Sequence, residues 1–195
     1  MKLLGLTGGI ACGKSTVSAM LRERGVTVLD ADVLCHALME PGQPLFEAYV
    51  SHWGRSILQA DGGLDRHAIG AIVFADVKER TWMNETAHPI IRKAMLEAME
   101  RERAKGTPIC VLDVPLLYES GWDACCDAVC VVWVRPEVQK ARLIARNGWL
   151  PEEADARIAA QMPLSEKCMR AKFCIDNNGT PEQTRRQVEE MLCTL

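Results

Sequence analysis

Short runs that are apolar almost throughout alternate along this chain with longer stretches whose apolar residues fall three and four positions apart. Five runs are of the first kind: "KLLGL" (2–6), "VTVL" (26–29), "ICVLD" (109–113), "AVCVVWV" (128–134) and "FCID" (173–176). Rich in Val, Ile, Leu and Cys, they read as buried strands. Over 14–24, Val17, Met20 and Leu21 fall at helical spacing, with Gly25 as a stop. Pro136 opens a second helix to Arg146, a break at "NGWLP" precedes another over about 152–161, and a last helix covers 181–193. This alternation predicts an α/β fold, a parallel sheet of about five strands with helices on both faces. One interval breaks the rhythm. Roughly 75 residues without a convincing strand separate the second and third runs, far more than one crossover helix needs. "ADVLCHALM", "PLFEAYVSHWGRSIL" and Arg66 to Lys105 lie there, so the interval reads as an inserted helical lobe. The expected division is a core of 1–32 and 106–195 with a helical region of 33–105.

Composition adds limits. At 195 residues and 48% hydrophobic content, the chain can hold one ample core with a smaller lobe. No apolar run approaches a membrane span, and the first residues lead into a strand, so a cytoplasmic protein without a membrane partner is expected. Nine cysteines, an odd number without a C-x-x-C pair, read as reduced thiols, with Cys110, Cys130 and Cys174 in the core. A net charge of −3 argues against a general nucleic-acid surface. The charge is uneven, however. Arg135, Lys140, Arg142, Arg146, Arg157, Lys167, Arg170 and Lys172 crowd one late segment, which suggests a local field for an anionic ligand.

The chemistry begins at "GLTGGIACGKST" (5–16), which contains Gly8-x-x-x-x-Gly13-Lys14-Ser15, the pattern of a phosphate-binding loop. Glycines let successive backbone N–H groups turn toward an anion, and Lys14 supplies a mobile positive charge. Ser15 can ligate the Mg²⁺ that travels with a nucleoside triphosphate, and the following helix points its positive end at the site. The bland alternative is a glycine-rich turn with an incidental lysine, and the strand–loop–helix setting speaks against it. Ligands of open α/β sheets gather beyond the carboxyl ends of the strands. There the second strand ends in Asp30 and Asp32, which share one side while the chain stays extended. Asp32 could orient a hydroxyl, accept its proton, bind Mg²⁺, or simply cap the next helix. Asp113 ends the third strand, where a phosphate loop usually has its Mg²⁺-side carboxylate, and Glu119 follows six residues on. Gln139, Arg142 and Arg146 share one helical face, either a solvated polar face or guanidinium groups for a moving phosphoryl. A segment carrying them and hinged near Gly148 could close as a lid, within about 137–165.

Taken in order, "GLTGGIACGKST", "VLDAD", "AHPIIR", "VLDVPLLYE", "QKARLIARNG", "RIAAQM" and "CIDNNGT" resemble the dephospho-coenzyme A kinase family over nearly the whole chain. The resemblance implies a P-loop nucleoside-triphosphate-hydrolase-like core, a helical region for the coenzyme A moiety and a mobile lid. It implies transfer of the γ-phosphoryl of ATP to the ribose 3′-hydroxyl of dephospho-CoA, the last step of coenzyme A synthesis. Asp32 would then be the base, with Lys14 and Arg142 as its catalytic partners. Gly8, Gly9, Ala11, Cys12, Gly13, Lys14, Ser15, Thr16, Arg142 and Asn177 would bind ATP, with Asn177 at adenine. His88, Pro89, Arg92, Asp113, Leu116 and Glu119 match positions around the acceptor. Ser15 would hold Mg²⁺, with Asp113 through water. A monomer acting on small molecules is expected. The family commonly has a small or serine residue where Cys12 stands, which raises the question of thiol modification; the answer turns on the exposure and pKa of that thiol. Tyr118 replaces a frequent Phe, and "GWLP" lacks the Ser or Thr that usually caps the lid helix. A P-loop kinase of another hydroxyl acceptor and a nucleotide-dependent switch are the alternatives.

Overall fold

The structure, a computed structural model, describes residues 1–195. Five strands form one sheet: β1 (Lys2–Gly8), β2 (Thr27–Asp30), β3 (Ile109–Asp113), β4 (Ala128–Trp133) and β5 (Phe173–Asp176). Their spatial order is β2-β3-β1-β4-β5. β1 pairs in parallel with both β3 and β4, and β4 with β5. The central β1 is the topological switch point, where open sheets of this kind leave a crevice beyond the strand ends.

The helices are α1 (Lys14–Glu23), α2 (Ala31–Leu38), α3 (Pro44–Trp53), α4 (Arg66–Ala75), α5 (Val77–Ala104), α6 (Pro136–Asn147), α7 (Pro151–Ala159), α8 (Leu164–Arg170) and α9 (Pro181–Thr194). Alternation along β1 sorts the two faces of the sheet. Leu4 and Leu6 join Val17, Met20 and Leu21 of α1 and Val188 and Met191 of α9 in the main core. On the opposite face Gly5 has no room for a side chain, because Leu117, Cys126 and Val129 close over it. α8 is a helix that the periodicity does not announce.

The chain divides into two compact units, Met1–Leu29 with Glu102–Leu195, and Asp30–Arg101. The second holds α2 to α4 and most of α5 around Leu38, Leu45, Tyr49, Ile57, Ile69, Val73 and Ala87. Its one extended pairing is an isolated bridge between Leu58 and Leu64. The His52 ring stacks on Trp82 with centroids 3.6 Å apart. Glu79 accepts from Trp53 Nε1 at 2.8 Å and meets His52 Nε2 at 2.8 Å, tying α3 to α5.

Two local expectations are corrected. The chain does not stay extended past Asp30: α2 starts at Ala31, and Asp30 caps it by accepting from Asp32 N and Val33 N. Asp32 thus lies in the first turn of α2, and the cap is Asp30. Cys110 and Cys130 are buried, but Cys174 is exposed, because β5 is the sheet's edge strand and only Ile175 within it is fully buried. The missing Ser or Thr before the lid helix is borne out, since α7 forms without a side-chain cap at Leu150. Pro151 opens it, and Glu153 reaches back to accept the Leu150 N–H at 2.9 Å.

Candidate active site

The strand register explains what meets what. Leu6 stands opposite Asp113, so β3 delivers its last carboxylate just below the point where β1 gives way to the loop. There Lys14, first residue of α1, forms an ion pair with Asp113, which is 1% exposed. The loop itself is tightly wound. Cys12 N–H donates to Gly9 O at 3.1 Å, and Gly13 O accepts from Thr16 and Val17 at 3.0 and 3.3 Å. Ala11 has φ of 61°, the only non-glycine residue with a positive φ. Gly13 has φ of 89°, and a Cβ there would also strike the Asn177 side chain. No protein acceptor faces the N–H groups of Ala11, Gly13, Lys14 and Ser15. Four donors beside a lysine, at the positive end of a helix, form a cradle for phosphate oxygens.

Around this cradle the polar side chains brace one another. Asn177 N–H donates to Trp133 O at 3.0 Å, which fixes it at the end of β5. Its Nδ2 donates to Cys12 O at 2.9 Å, and its Oδ1 accepts from the buried Thr184 hydroxyl at 2.9 Å. Arg142, on α6, donates from Nη2 to Asn177 O at 2.9 Å. Arg142, Asn177 and the loop are therefore brought together, while the exposed Arg146 turns to Asn147 instead. Leu116 is exposed in the turn after β3. Glu119, farther along that segment, accepts from Lys167 Nζ at 2.8 Å and from Met162 N–H at 3.0 Å. Burial pushes the Glu119 carboxyl up, but the Lys167 and Met162 bonds and the Lys167 charge outweigh it and hold the group below its ordinary value. Lys167, wholly buried, also donates to Pro115 O at 3.4 Å.

The structure answers the question that the sequence leaves open at Cys12. Its side chain is 0% exposed, and burial pushes the thiol up against the lowering influence of backbone contacts and of Arg142 and Lys167. A protonated, enclosed thiol is a poor nucleophile.

The remaining candidates lie in the helical unit. Asp32 is exposed on α2, and His88 and Arg92 are exposed on α5, four residues apart and so on one face. Pro89 sits inside the continuous α5 and does not begin a helix. Neither spacing nor motif chemistry marks Gln161, Lys167 or Thr184 as a site residue. Only the charge cluster touched Lys167, and nothing in the sequence marks it as buried.

A parallel α/β sheet, a phosphate loop between β1 and α1, a lysine on a strand-end aspartate and an arginine from the helix after β4 define a P-loop nucleotide-binding protein of the kinase type. The family model of dephospho-CoA kinase matches residues 2–183, and the chain belongs to that family. It is similar to the dephospho-CoA kinase of Symbiobacterium thermophilum, 56% identical over 189 residues, covering 97% of this chain and 79% of that protein. The dephospho-CoA kinase of Geobacillus kaustophilus is 50% identical, covering 97% and 94%. Among solved structures, TT1252 from Thermus thermophilus superposes with a TM-score of 0.80 at 33% identity, covering 100% of this chain and 97% of that one. The dephospho-CoA kinase from Campylobacter jejuni gives 0.76 at 27% identity, covering 99% and 96%.

Proposed function

We propose that this protein transfers the γ-phosphoryl of ATP to the ribose 3′-hydroxyl of dephospho-CoA, giving ADP and CoA. The observation that carries the nucleotide half is the row of four unpartnered loop N–H groups beside Lys14. Family membership carries the acceptor half. In this reaction the 3′-oxygen forms a bond to the γ-phosphorus, the bond to the β–γ bridging oxygen breaks, and ADP leaves with that electron pair. Asp32 takes the hydroxyl proton. Lys14 and the loop donors hold the phosphate oxygens, and Arg142 steadies the charge that spreads over the moving group. His88, Arg92, Leu116 and Glu119 serve the acceptor.

Mg²⁺ suits the oxygen donors available. The Ser15 hydroxyl is exposed on the first turn of α1, and Asp113 closes β3. The chain has no cluster of three or more His, Cys, Asp or Glu side chains able to cage a metal, and Mg²⁺ commonly binds through few protein ligands and substrate phosphates. When bound, Mg²⁺ neutralises triphosphate charge. No helix is long and apolar enough to cross a membrane. From its family alone we place the protein in the cytoplasm.

The test is ADP release with Mg²⁺ and ATP, with and without dephospho-CoA, while CoA is followed by mass. ADP that depends on the acceptor and matches CoA one for one is expected. Hydrolysis indifferent to the acceptor, or no turnover with it, would overturn the proposal.

A further inference from the structure

One residue of the phosphate loop is gripped on both of its polar edges. The Ile10 N–H donates to Gln161 Oε1 at 2.9 Å. The Ile10 carbonyl accepts from Gln139 Nε2 at 2.9 Å. The first bond holds the peptide that precedes Ile10, and the second holds the peptide that follows it. Every peptide in the chain is trans. In a trans unit the carbonyl and the next N–H point in opposite directions across one plane. Gln139, by holding the Ile10 carbonyl on one side, therefore turns the Ala11 N–H to the other, and that N–H is one of the four free donors of the cradle.

Two further observations show that this grip is built rather than incidental. Ala11 keeps φ at 61°, a left-handed conformation that is unfavourable for a residue with a Cβ, so something must hold the neighbouring peptide in place. Gly9 is the second. A Cβ at that position would lie 2.5 Å from Gln139 Nε2 and 3.0 Å from Cys12 Sγ, so the approach of Gln139 requires glycine there. Gln139 is itself 5% exposed, so its amide is not a surface group that happens to reach the loop.

Gln161 arrives from a different part of the chain, the short segment between α7 and α8. Its neighbour Met162 donates its backbone N–H to Glu119 at 3.0 Å. Two consecutive residues thus tie the phosphate loop on one side and the acceptor-matched carboxylate on the other. Five residues on, Lys167 holds the same Glu119 at 2.8 Å. The segment is a strap between the loop and Glu119.

We propose that Gln139 and Gln161 are positioning residues for phosphoryl transfer, acting through the two peptides that flank Ile10 to aim the loop donors at the triphosphate. Neither is assigned to phosphate contact. Gln139 sets the direction of the Ala11 N–H, and Gln161 locks the preceding peptide and links that setting to the strap. The inference rests on ATP as the ligand of this loop, and its test needs no acceptor.

The experiment is calorimetric titration of the full chain with Mg²⁺ and ATP, without dephospho-CoA, for wild type, Gln139→Met, Gln161→Met and the double variant, with thermal unfolding in parallel. Each single change should weaken ATP binding about tenfold, the scale of one lost hydrogen bond with its partner left unpaired. Because both act on the same residue, the double variant should lose little more than the worse single one, not the roughly hundredfold of independent sites. Gln161 is only partly buried, so Gln161→Met should keep the wild-type unfolding temperature and carries the test if Gln139→Met does not fold. Wild-type affinity in Gln161→Met, or a fully additive double variant, would overturn the inference. A wild-type protein that does not bind ATP would instead overturn the nucleotide assignment of the loop.

Discussion

The two units present their site residues in opposite ways. Around the phosphate loop Asp113, Gln139, Asn177, Lys167 and Thr184 are buried, and each is bonded to a named partner. In the helical unit Asp32, His88 and Arg92 are exposed on helix surfaces. The difference fits the roles proposed for the two sides. Donors that stabilise developing phosphoryl charge work best when fixed before the substrate arrives, so that no reorganisation is needed at the moment of reaction. A carboxylate that takes a proton needs a lone pair within reach of the acceptor and little support beyond that. Mutation of the braced side should therefore be felt in stability and nucleotide affinity. Mutation of the exposed side should be felt in turnover and in acceptor affinity, with stability and nucleotide affinity unchanged.

The sharpest test of that contrast is Asp32→Asn. It should lower kcat by about 10²–10⁴-fold, the usual contribution of a positioned base, while the unfolding temperature and ATP affinity stay at wild-type values. Near-normal turnover would remove Asp32 from the role of base. Lys167→Met should behave in the reverse sense. It leaves Glu119 without its cation, which costs roughly 3 kcal/mol, the low end for a broken buried pair because Glu119 is 24% exposed. For a chain of this size that lowers the unfolding temperature by about 6–12 °C in a thermal melt. An unaltered melt would mean that the braced side is less braced than its bonds suggest. Thr184→Val keeps the shape but deletes the hydroxyl that Asn177 accepts, so about 1–2 kcal/mol is expected from urea unfolding, together with weaker ATP binding. Loss of stability with no change in ATP affinity would show that Asn177 does not transmit its position to Cys12.

How much of this was legible in the sequence depended on whether a feature is local. The five strands, the loop and α6, α7 and α9 each advertise themselves through apolar runs, glycine spacing or a proline at a helix start. α8 does not. "LSEKCMR" has no apolar stripe, because the helix is short and its buried side chain is Lys167, a residue type that sequence patterns place on the surface. The Asp30–Asp32 expectation failed for a related reason. Two-residue alternation holds only while a strand continues, and an aspartate that caps the next helix ends it. Cys174 looked like a core thiol because its run is apolar, but an edge strand is packed on fewer sides than a central one. The glutamine grip on Ile10 joins residues 129 and 151 positions apart, and no periodicity reports contacts of that kind.

The smallest effect concerns pH and refines the Lys167 result. In the wild type Glu119 is held below its ordinary value of 4.5 by the Lys167 and Met162 bonds despite its burial. A carboxylate whose folded value is depressed binds protons less readily folded than unfolded. It therefore contributes stability that is present above the unfolded value and is lost as pH falls through the folded one. In Lys167→Met the cation is gone and burial becomes the stronger influence, so the carboxyl shifts upward and acid favours the folded variant. The gap in urea midpoint between the two proteins should be widest near pH 7 and narrower near pH 4, with the wild type losing ground faster. If the gap were the same at both, Lys167 would hold the strap through its burial and its bond to the Pro115 carbonyl, and the charge on Glu119 would contribute nothing to the bracing.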